Sequence, residues 1–186
     1  PGSAGYAGDD LVTKGKACFD AQRLPDSNTD VDATINPDFS QIESDFAQIG
    51  VNERFALFYP EKRTFFREHI DLLQSPIQAV YTRTITSPLW GGRVTGKSGG
   101  TSYTALVAND RGGGTVIIPG PVFSGAVPQD FQSFVGIARV RQDLGASFGG
   151  LLATGRVIEG GGHNSVVGGD FQWRPKDADI GTGQYL

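Results

Sequence analysis

Apolar and polar residues alternate along most of this chain, in stretches bounded by turn-forming residues. In TDVDATIN, residues 29–36, the apolar positions are Val31, Ala33 and Ile35, and the positions between them are polar. A period of two is typical of a strand whose two faces meet different surroundings. The stretch KGKACFDAQRL, residues 14–24, precedes it across the turn formers PDSN, so the two stretches predict a β-hairpin.

The same pattern returns in later stretches. Residues 91–97 and 101–110 flank SGG, residues 131–143 and 147–158 flank LGA, and a last strand is predicted over 165–175. Glycines and prolines between residues 110 and 131 predict a long irregular connection. We expect one apolar face formed by Val31, Ala33, Ile35, Val94, Tyr103, Ala105, Val107, Phe171 and Trp173. The opposite, polar face should carry Asp30, Asp32, Arg93, Lys97, Asp170 and Gln172.

The fold class that this pattern predicts is mostly β: an antiparallel meander of long strands forming part of a transmembrane-type β-barrel. Strands of roughly 8–13 residues exceed the usual length of about 5–6 in soluble proteins. The apolar face is rich in Gly, Ala and single aromatics rather than in the Leu and Ile of a packed core, and short turns alternate with longer connections, as in outer-membrane barrels. A soluble sandwich gives the same alternation and stays open as the alternative.

Residues 37–76 differ in composition from the rest of the chain, because they are rich in acidic, basic and aromatic residues. Ile42, Phe46 and Ile49 have helical spacing, which predicts a short helix at about 40–49. A strand is predicted over 53–60, and a second helix over 61–74, with Phe65 and Phe66 on its apolar side. This segment is expected to be a plug-like insert in the lumen or at the mouth. The remaining predictions are a flexible segment over 1–13, a partial barrel over 14–175 and a polar tail over 176–186.

Composition narrows the range of functions. The chain has 186 residues, 27 of them Gly, and a net charge of −4 without a basic patch, so nucleic acid is not an expected partner. One cysteine, Cys18, and two histidines allow no internal disulfide and predict no metal site or other cofactor. No apolar run reaches the roughly 20 residues of a membrane helix. The chain has no Met, and we expect it to be an excerpt or a processed form of a longer protein.

Two kinds of candidate chemistry remain. A glycosidase would need two carboxylates about 5–9.5 Å apart, and the candidates are Asp38, Glu43, Asp45, Glu61, Glu68 and Asp71. Pairing of these acids with Arg54, Lys62, Arg63 and Arg67 in a polar lumen is the favoured interpretation, so no catalytic residue is predicted. Trp90, Tyr103 and Trp173 could stack on sugars, but aromatics near strand ends are equally typical of a barrel's interfacial girdle.

With its stretches NPDFSQ and FYPEKRTFF, the segment from residue 32 to residue 76 resembles the signature of a bacterial family, domain of unknown function 5916. The matching positions are Asn36, Pro37, Asp38, Phe39, Ser40, Gln41, Glu43, Asp45, Phe58, Pro60, Glu61, Lys62, Arg63, Phe65 and Phe66. The chain departs from the family at Thr64, where the family usually has Pro, and at residues 67–69, where it often has Leu-Glu-Gly. The resemblance extends from about Lys14 to nearly the end of the chain.

The resemblance implies a bacterial outer-membrane β-barrel, often preceded by a domain similar to a family 9 carbohydrate-binding module. It therefore implies outer-membrane lipid as a partner, and carbohydrate or solute binding or passage as a function. The alternative is a soluble β-rich domain that binds or processes carbohydrate. Within the insert, we expect Glu61 in the first helical turn, Phe65 and Phe66 against the inner wall, and Arg63 paired with Asp38 or Glu43.

Overall fold

The computed structural model describes residues 18–37, 61–113, 115–118, 125–176 and 178–186. Its main element is an eight-stranded antiparallel sheet in which each strand pairs with its neighbours in chain order. The strands of this sheet are β1 (Phe19–Asp26), β2 (Thr29–Ile35), β3 (Pro88–Ser98), β4 (Thr101–Asp110), β7 (Ser133–Leu144), β8 (Ser147–Ile158), β9 (His163–Lys176) and β10 (Asp179–Tyr185). A separate hairpin is formed by β5 (Thr115–Ile118) and β6 (Gly125–Pro128).

The predicted antiparallel meander with few helical turns is confirmed, and within the described residues the sheet is not closed. β1 pairs only with β2, and β10 pairs only with β9. One local prediction was wrong, because the connection between β4 and β7, predicted to be irregular, contains the β5–β6 hairpin. Residues 179–185 of the predicted polar tail form β10. The sequence DIGTGQY has only one strong β-former between its glycines, and its pairing with β9 makes it a strand.

The two faces of the sheet separate as the alternation predicts. Strand pairing places Val31, Val94, Ala105, Ala138, Ala153 and Val167 in one row across the sheet. We call the face that holds this row the outer face and the opposite one the inner face. The polar residues predicted to share a face, including Asp32, Arg93 and Asp170, lie on the inner face.

Residues 61–87, called the insert from here on, lie against the inner face. The predicted helix over 61–74 is instead two short pieces, helix α1 (Thr64–Arg67) and a 3-10 turn (Ile70–Leu73), followed by a second 3-10 turn (Thr82–Thr84). The break lies at His69, whose φ is 52°. Arg93 Nη1 donates to the carbonyls of Phe65 and Glu68, the oxygens that would accept the next helical hydrogen bonds, so the sheet ends the helix. The predicted helix at 40–49 and the predicted strand at 53–60 lie outside the described residues.

A small apolar core joins the insert to the sheet. Phe66, Leu73, Val80 and Ile85 of the insert are buried against five inner-face residues of the central strands: Leu106, Ala108, Val135, Ile137 and Leu152. The core positions the insert over β4, β7 and β8, while charged contacts fix its ends.

In the part of the chain that the structure describes, no helix is long and apolar enough to cross a membrane.

Candidate functional site

Arg93 is the main contact between the sheet and the insert. Its guanidinium pairs with Asp32 on the neighbouring strand, with Nε 3.1 Å from Asp32 Oδ2, and both side chains are less than a tenth exposed. The other side of the guanidinium donates to the carbonyls of Phe65 and Glu68, each at 2.6 Å, and to Glu68 Oε2 at 3.1 Å. One arginine therefore balances a buried acid and satisfies the backbone where the helix breaks.

A second ion pair lies inside the insert. Arg63 donates through Nε and Nη2 to the two carboxylate oxygens of Glu61, at 2.8 and 2.7 Å. Arg63 also donates to the carbonyls of Thr82 and Ile85, and its guanidinium lies 4.3 Å from the centre of the Phe66 ring. The pair ties the start of the insert to its last helical turn.

These contacts decide two predictions about the insert. Glu61 does not lie in the first helical turn, because α1 begins at Thr64, so that prediction was wrong. Its carboxylate precedes the helix, where it binds the Arg63 guanidinium and accepts a 3.0 Å hydrogen bond from the backbone N–H of Arg63, the N-cap residue. The predicted partners of Arg63, Asp38 and Glu43, lie outside the described residues, so pairing with them stays a prediction.

The environment of Glu61 does not suit a general acid. Burial alone would raise the pKa of Glu61, but the hydrogen bonds and charge of Arg63, with a 2.7 Å hydrogen bond from Thr82 Oγ1, lower the pKa below its ordinary value. Glu68 accepts a hydrogen bond from Arg93, and Asp71 is exposed. Among the described residues, no three His, Cys, Asp or Glu side chains are grouped to hold a metal ion.

Asp110 fixes the C-terminal end of the insert. Its fully buried carboxylate accepts hydrogen bonds from the backbone N–H groups of Thr86 and Ser87, at 3.0 and 2.8 Å, and from Gln129 Nε2 at 2.6 Å. Close by, Arg156 of β8 donates to the carbonyl of Thr84 at 2.7 Å. The insert is thus held by charged side chains from three strands of the inner face.

A third buried ion pair crosses a strand without involving the insert. Arg139 on β7 and Asp170 on β9 are 2.6 Å apart at Nη2 and Oδ2, although β8 lies between their strands. Gly150 of β8 makes this possible, because a Cβ there would come within 2.8 Å of Asp170 Oδ1. Arg139 Nε and Nη1 and Asp170 Oδ1 have no hydrogen-bond partner.

The insert's aromatic residues contact the inner face of the sheet. Phe65 lies on Gly91 of β3, where a Cβ would be only 2.9 Å from the Phe65 ring, and Phe66 meets Phe65 edge-on at 5.1 Å between ring centres. At the start of the connection, Asn36 has a φ of 47° and its N–H donates to the carbonyl of Leu89 at 2.7 Å. Pro37 is half-buried, and Asp38, Phe39, Glu43 and Pro60 lie outside the described residues.

The candidate sugar-stacking residues do not form one site. Trp90, Tyr103 and Trp173 all lie on the outer face, but on strands β3, β4 and β9 and at different heights. Trp90 contacts Phe134, and Tyr103 covers Gly96 and meets Thr29 Oγ1 at 3.2 Å. The rings of Trp90 and Tyr103 therefore cover different parts of the sheet.

A cavity of about 550 Å³ opens within the insert. Its lining combines apolar side chains with amides, hydroxyls and charges: Glu61, Ile70, Leu73, Gln74, Ser75, Pro76, Gln78, Val80, Tyr81, Thr82 and Arg83. Burial lowers the pKa of Arg83 from its ordinary value. The sequence analysis selected only Glu61 among these residues, since residues 74–83 carry no recognisable motif.

The sequence pattern also did not show which charged residues of the inner face pair with each other. Alternation predicts the inner position of Arg93 and Asp170, but it does not give the strand register that sets Arg93 beside Asp32 or Arg139 near Asp170. A search for inward charges of opposite sign on neighbouring strands would have found the first pair. The second spans three strands and depends on a glycine between them.

No curated protein and no solved structure matches the chain. The profile of the family described as "Domain of unknown function (DUF5916)" matches residues 24–93, a range that runs from β1 through the insert to Arg93. The match confirms, over residues 24–93, the resemblance to the DUF5916 family that is seen in the sequence.

Proposed function

We propose that this chain forms part of the wall of a bacterial outer-membrane β-barrel, with the insert in its lumen and no catalytic role. The observation that carries the proposal is the distribution of charge between the two faces. On β2–β4 and β7–β9, every Asp, Glu, Lys and Arg lies at an inner-face position, whereas on the edge strand β1 the exposed Arg23 pairs with Val31 of the outer face. A soluble sheet that covers its inner face with an insert should show the reverse.

The outer face is also strongly apolar and exposed. Val167 is 71% exposed, Leu151 69% and Trp173 61%, and they belong to a patch that spans seven strands. Monomeric soluble proteins rarely expose an apolar surface of more than a few hundred Å². Lipid satisfies such a face, while the polar inner face and the insert remain in a hydrated lumen.

The insert also bears on the size of the barrel. A closed barrel of eight strands has an interior just wide enough for its own side chains. Here the inner face additionally accommodates the insert, with Phe66 and Ile85 buried against it. We therefore propose that the edges of β1 and β10 pair with further strands rather than with each other.

Cysteine labelling tests the lipid-facing surface. In a Cys18→Ser background, we compare Val167→Cys on the outer face with Lys97→Cys on the inner face, whose side chain is 62% exposed. A water-soluble maleimide applied to isolated outer membranes should label Lys97→Cys and not Val167→Cys. Denatured samples give the total thiol. Equal labelling of both positions, or recovery of the protein in the soluble fraction, would overturn the proposal.

The cavity in the insert supports a second, finer proposal, that the lumen binds a neutral polyhydroxylated solute such as a carbohydrate. Its volume is within the range of about 300–1,000 Å³ that small-molecule sites occupy. Gln74 and Gln78 offer amides that can both donate and accept, beside the apolar surface of Leu73 and Val80. Saturation-transfer NMR with maltose should show contacts that Gln74→Ala/Gln78→Ala removes and Gln142→Ala, on the outer face, retains. Equal signals in both variants would refute the site.

A further inference from the structure

One end of the outer face carries an aromatic row beside the long connections. Trp90 and Phe134 lie in one register row with Ile35, Val157 and His163, and the rings of Trp90 and Phe134 are 6.0 Å apart. We call this set the Trp90 belt. Its members combine large apolar groups with the ring nitrogens of Trp and His, which suits the boundary between hydrocarbon and water.

The opposite end carries a second aromatic set. On β9, Phe171 and Trp173 lie on the outer face, and the Phe171 ring lies over Gly183 of β10, where a Cβ would come within 2.6 Å of it. We call Phe171 and Trp173 the Trp173 belt. Between the two belts, strands β2–β4 and β7–β9 present Val, Leu, Ala, Gly, Tyr and a few small polar residues on the outer face, and the edge strand β1 presents Arg23 opposite Val31.

The separation of the belts matches the thickness of a bilayer core. His163, in the Trp90 belt, precedes Trp173 by ten residues on the same strand. At about 3.3 Å per residue this is about 33 Å along the strand. A strand tilt of about 40° reduces that to about 25 Å along the membrane normal, the height of the apolar band in outer-membrane barrels.

The connections differ between the two ends. Next to the Trp173 belt, only two residues separate β1 from β2, β3 from β4, β7 from β8, and β9 from β10. Next to the Trp90 belt, the connections are residues 36–87, 111–132 and 159–162. Outer-membrane barrels have short periplasmic turns and longer extracellular loops.

From these observations we infer the direction of the chain in the membrane, an inference that rests on the proposed function. The Trp90 belt lies at the outer headgroup interface and the Trp173 belt at the periplasmic one. The chain enters and leaves the insert at the extracellular end. Any solute that reaches the insert from outside the cell meets it before the periplasmic half of the lumen.

The single native cysteine allows a direct test. Cys18 is exposed and precedes Phe19, which pairs with Ile35 of the Trp90 belt, so it lies at the predicted extracellular end. Ala146 is exposed in the turn between β7 and β8, at the predicted periplasmic end. The two probes are native Cys18 and Cys18→Ser/Ala146→Cys.

A bulky, membrane-impermeant maleimide is applied to intact cells that express the full protein, and again after the outer membrane is permeabilised. We expect Cys18 to be labelled on intact cells and Ala146→Cys only after permeabilisation. Labelling of Ala146→Cys on intact cells, or of Cys18 only after permeabilisation, overturns the direction. Fractionation of the same cells reports separately on the proposed function, because a protein absent from the outer membrane fails that proposal whatever the labelling pattern.

Discussion

Replacing Arg93 by Met should destabilise the protein more than any other single loss of a polar contact between the sheet and the insert. Met keeps much of the length and apolar stem of the side chain, so packing changes little. The substitution leaves Asp32 buried without its guanidinium and removes the donor to the carbonyls of Phe65 and Glu68.

The size of the effect follows from burial. Removing one partner of a buried ion pair costs about 3–5 kcal/mol, because the other charge stays desolvated. Each carbonyl that loses its donor in a buried place adds about 1–3 kcal/mol. Glu68 has a half-exposed side chain, so water can replace part of the loss there. We expect a total of at least about 4 kcal/mol, which is the low end for the pair together with the low end for the Phe65 carbonyl alone.

The measurement is urea unfolding of the purified full protein in detergent micelles, followed by tryptophan fluorescence. The matched control is Arg111→Met, since Arg111 is exposed and donates to Asn36 Oδ1 at 2.8 Å; it should lose less than about 1 kcal/mol. Adding Asp32→Asn to Arg93→Met should restore about 1–2 kcal/mol by removing the stranded charge. A loss below about 1 kcal/mol for Arg93→Met, or a double variant less stable than the single one, would refute the argument.

Three further predictions concern other parts of the molecule. Val167→Arg, near the middle of the apolar band, should lower the free energy of unfolding in lipid by about 2–4 kcal/mol. His163→Arg, in the Trp90 belt, should lower it by at most about 1 kcal/mol. Equal effects of the two variants in unfolding titrations in lipid would contradict the placement of the band. The pKa of Glu61 is lowered below 4.5 in the folded protein, so the ionised carboxylate stabilises the fold above that pH, and this stabilisation is lost as the pH falls through the folded pKa. Glu61→Gln should therefore flatten the acid side of the curve of unfolding free energy against pH. An unchanged curve would count against the Glu61–Arg63 pair. Gly91→Ala should lower the free energy of unfolding by about 1–3 kcal/mol, because the new Cβ meets the Phe65 ring. In the control Gly136→Ala the new Cβ meets nothing within 4 Å, so this variant should be neutral or stabilising. Both are measured by chemical unfolding, and equal stability would mean that Phe65 does not rest on Gly91.

Alternation predicted the strands of the main sheet well because each residue's face depends only on its own strand. TDVDATIN and SVVGGDFQW needed no knowledge of their neighbours to be assigned two faces. Strand β10 was missed because a glycine-rich, polar sequence gains its strand conformation from pairing with β9. The pattern also could not show which connections contain a hairpin.

The helix predicted over 61–74 does not form as one continuous helix, because a side chain from another strand breaks it. Phe65, Phe66, Ile70 and Leu73 have helical spacing, and two of them are buried as the pattern suggests. Arg93, more than twenty residues away in sequence, takes the carbonyls on which a continuous helix would depend. Local sequence cannot reveal a competing donor on another strand, and the same limit hid the partners of Asp110 and Arg139.

The most direct test of a lipid-facing outer face uses the two native tryptophans, which both lie on that face. The protein is reconstituted in vesicles whose phospholipids carry bromine atoms near the headgroup end of the acyl chains, and Trp173→Phe and Trp90→Phe isolate one tryptophan each. We predict that brominated lipid quenches the emission of both Trp90 and Trp173, compared with vesicles of unbrominated lipid. Unquenched emission from both single-tryptophan variants, with the protein monodisperse in plain buffer, would contradict the membrane wall and favour a soluble β domain.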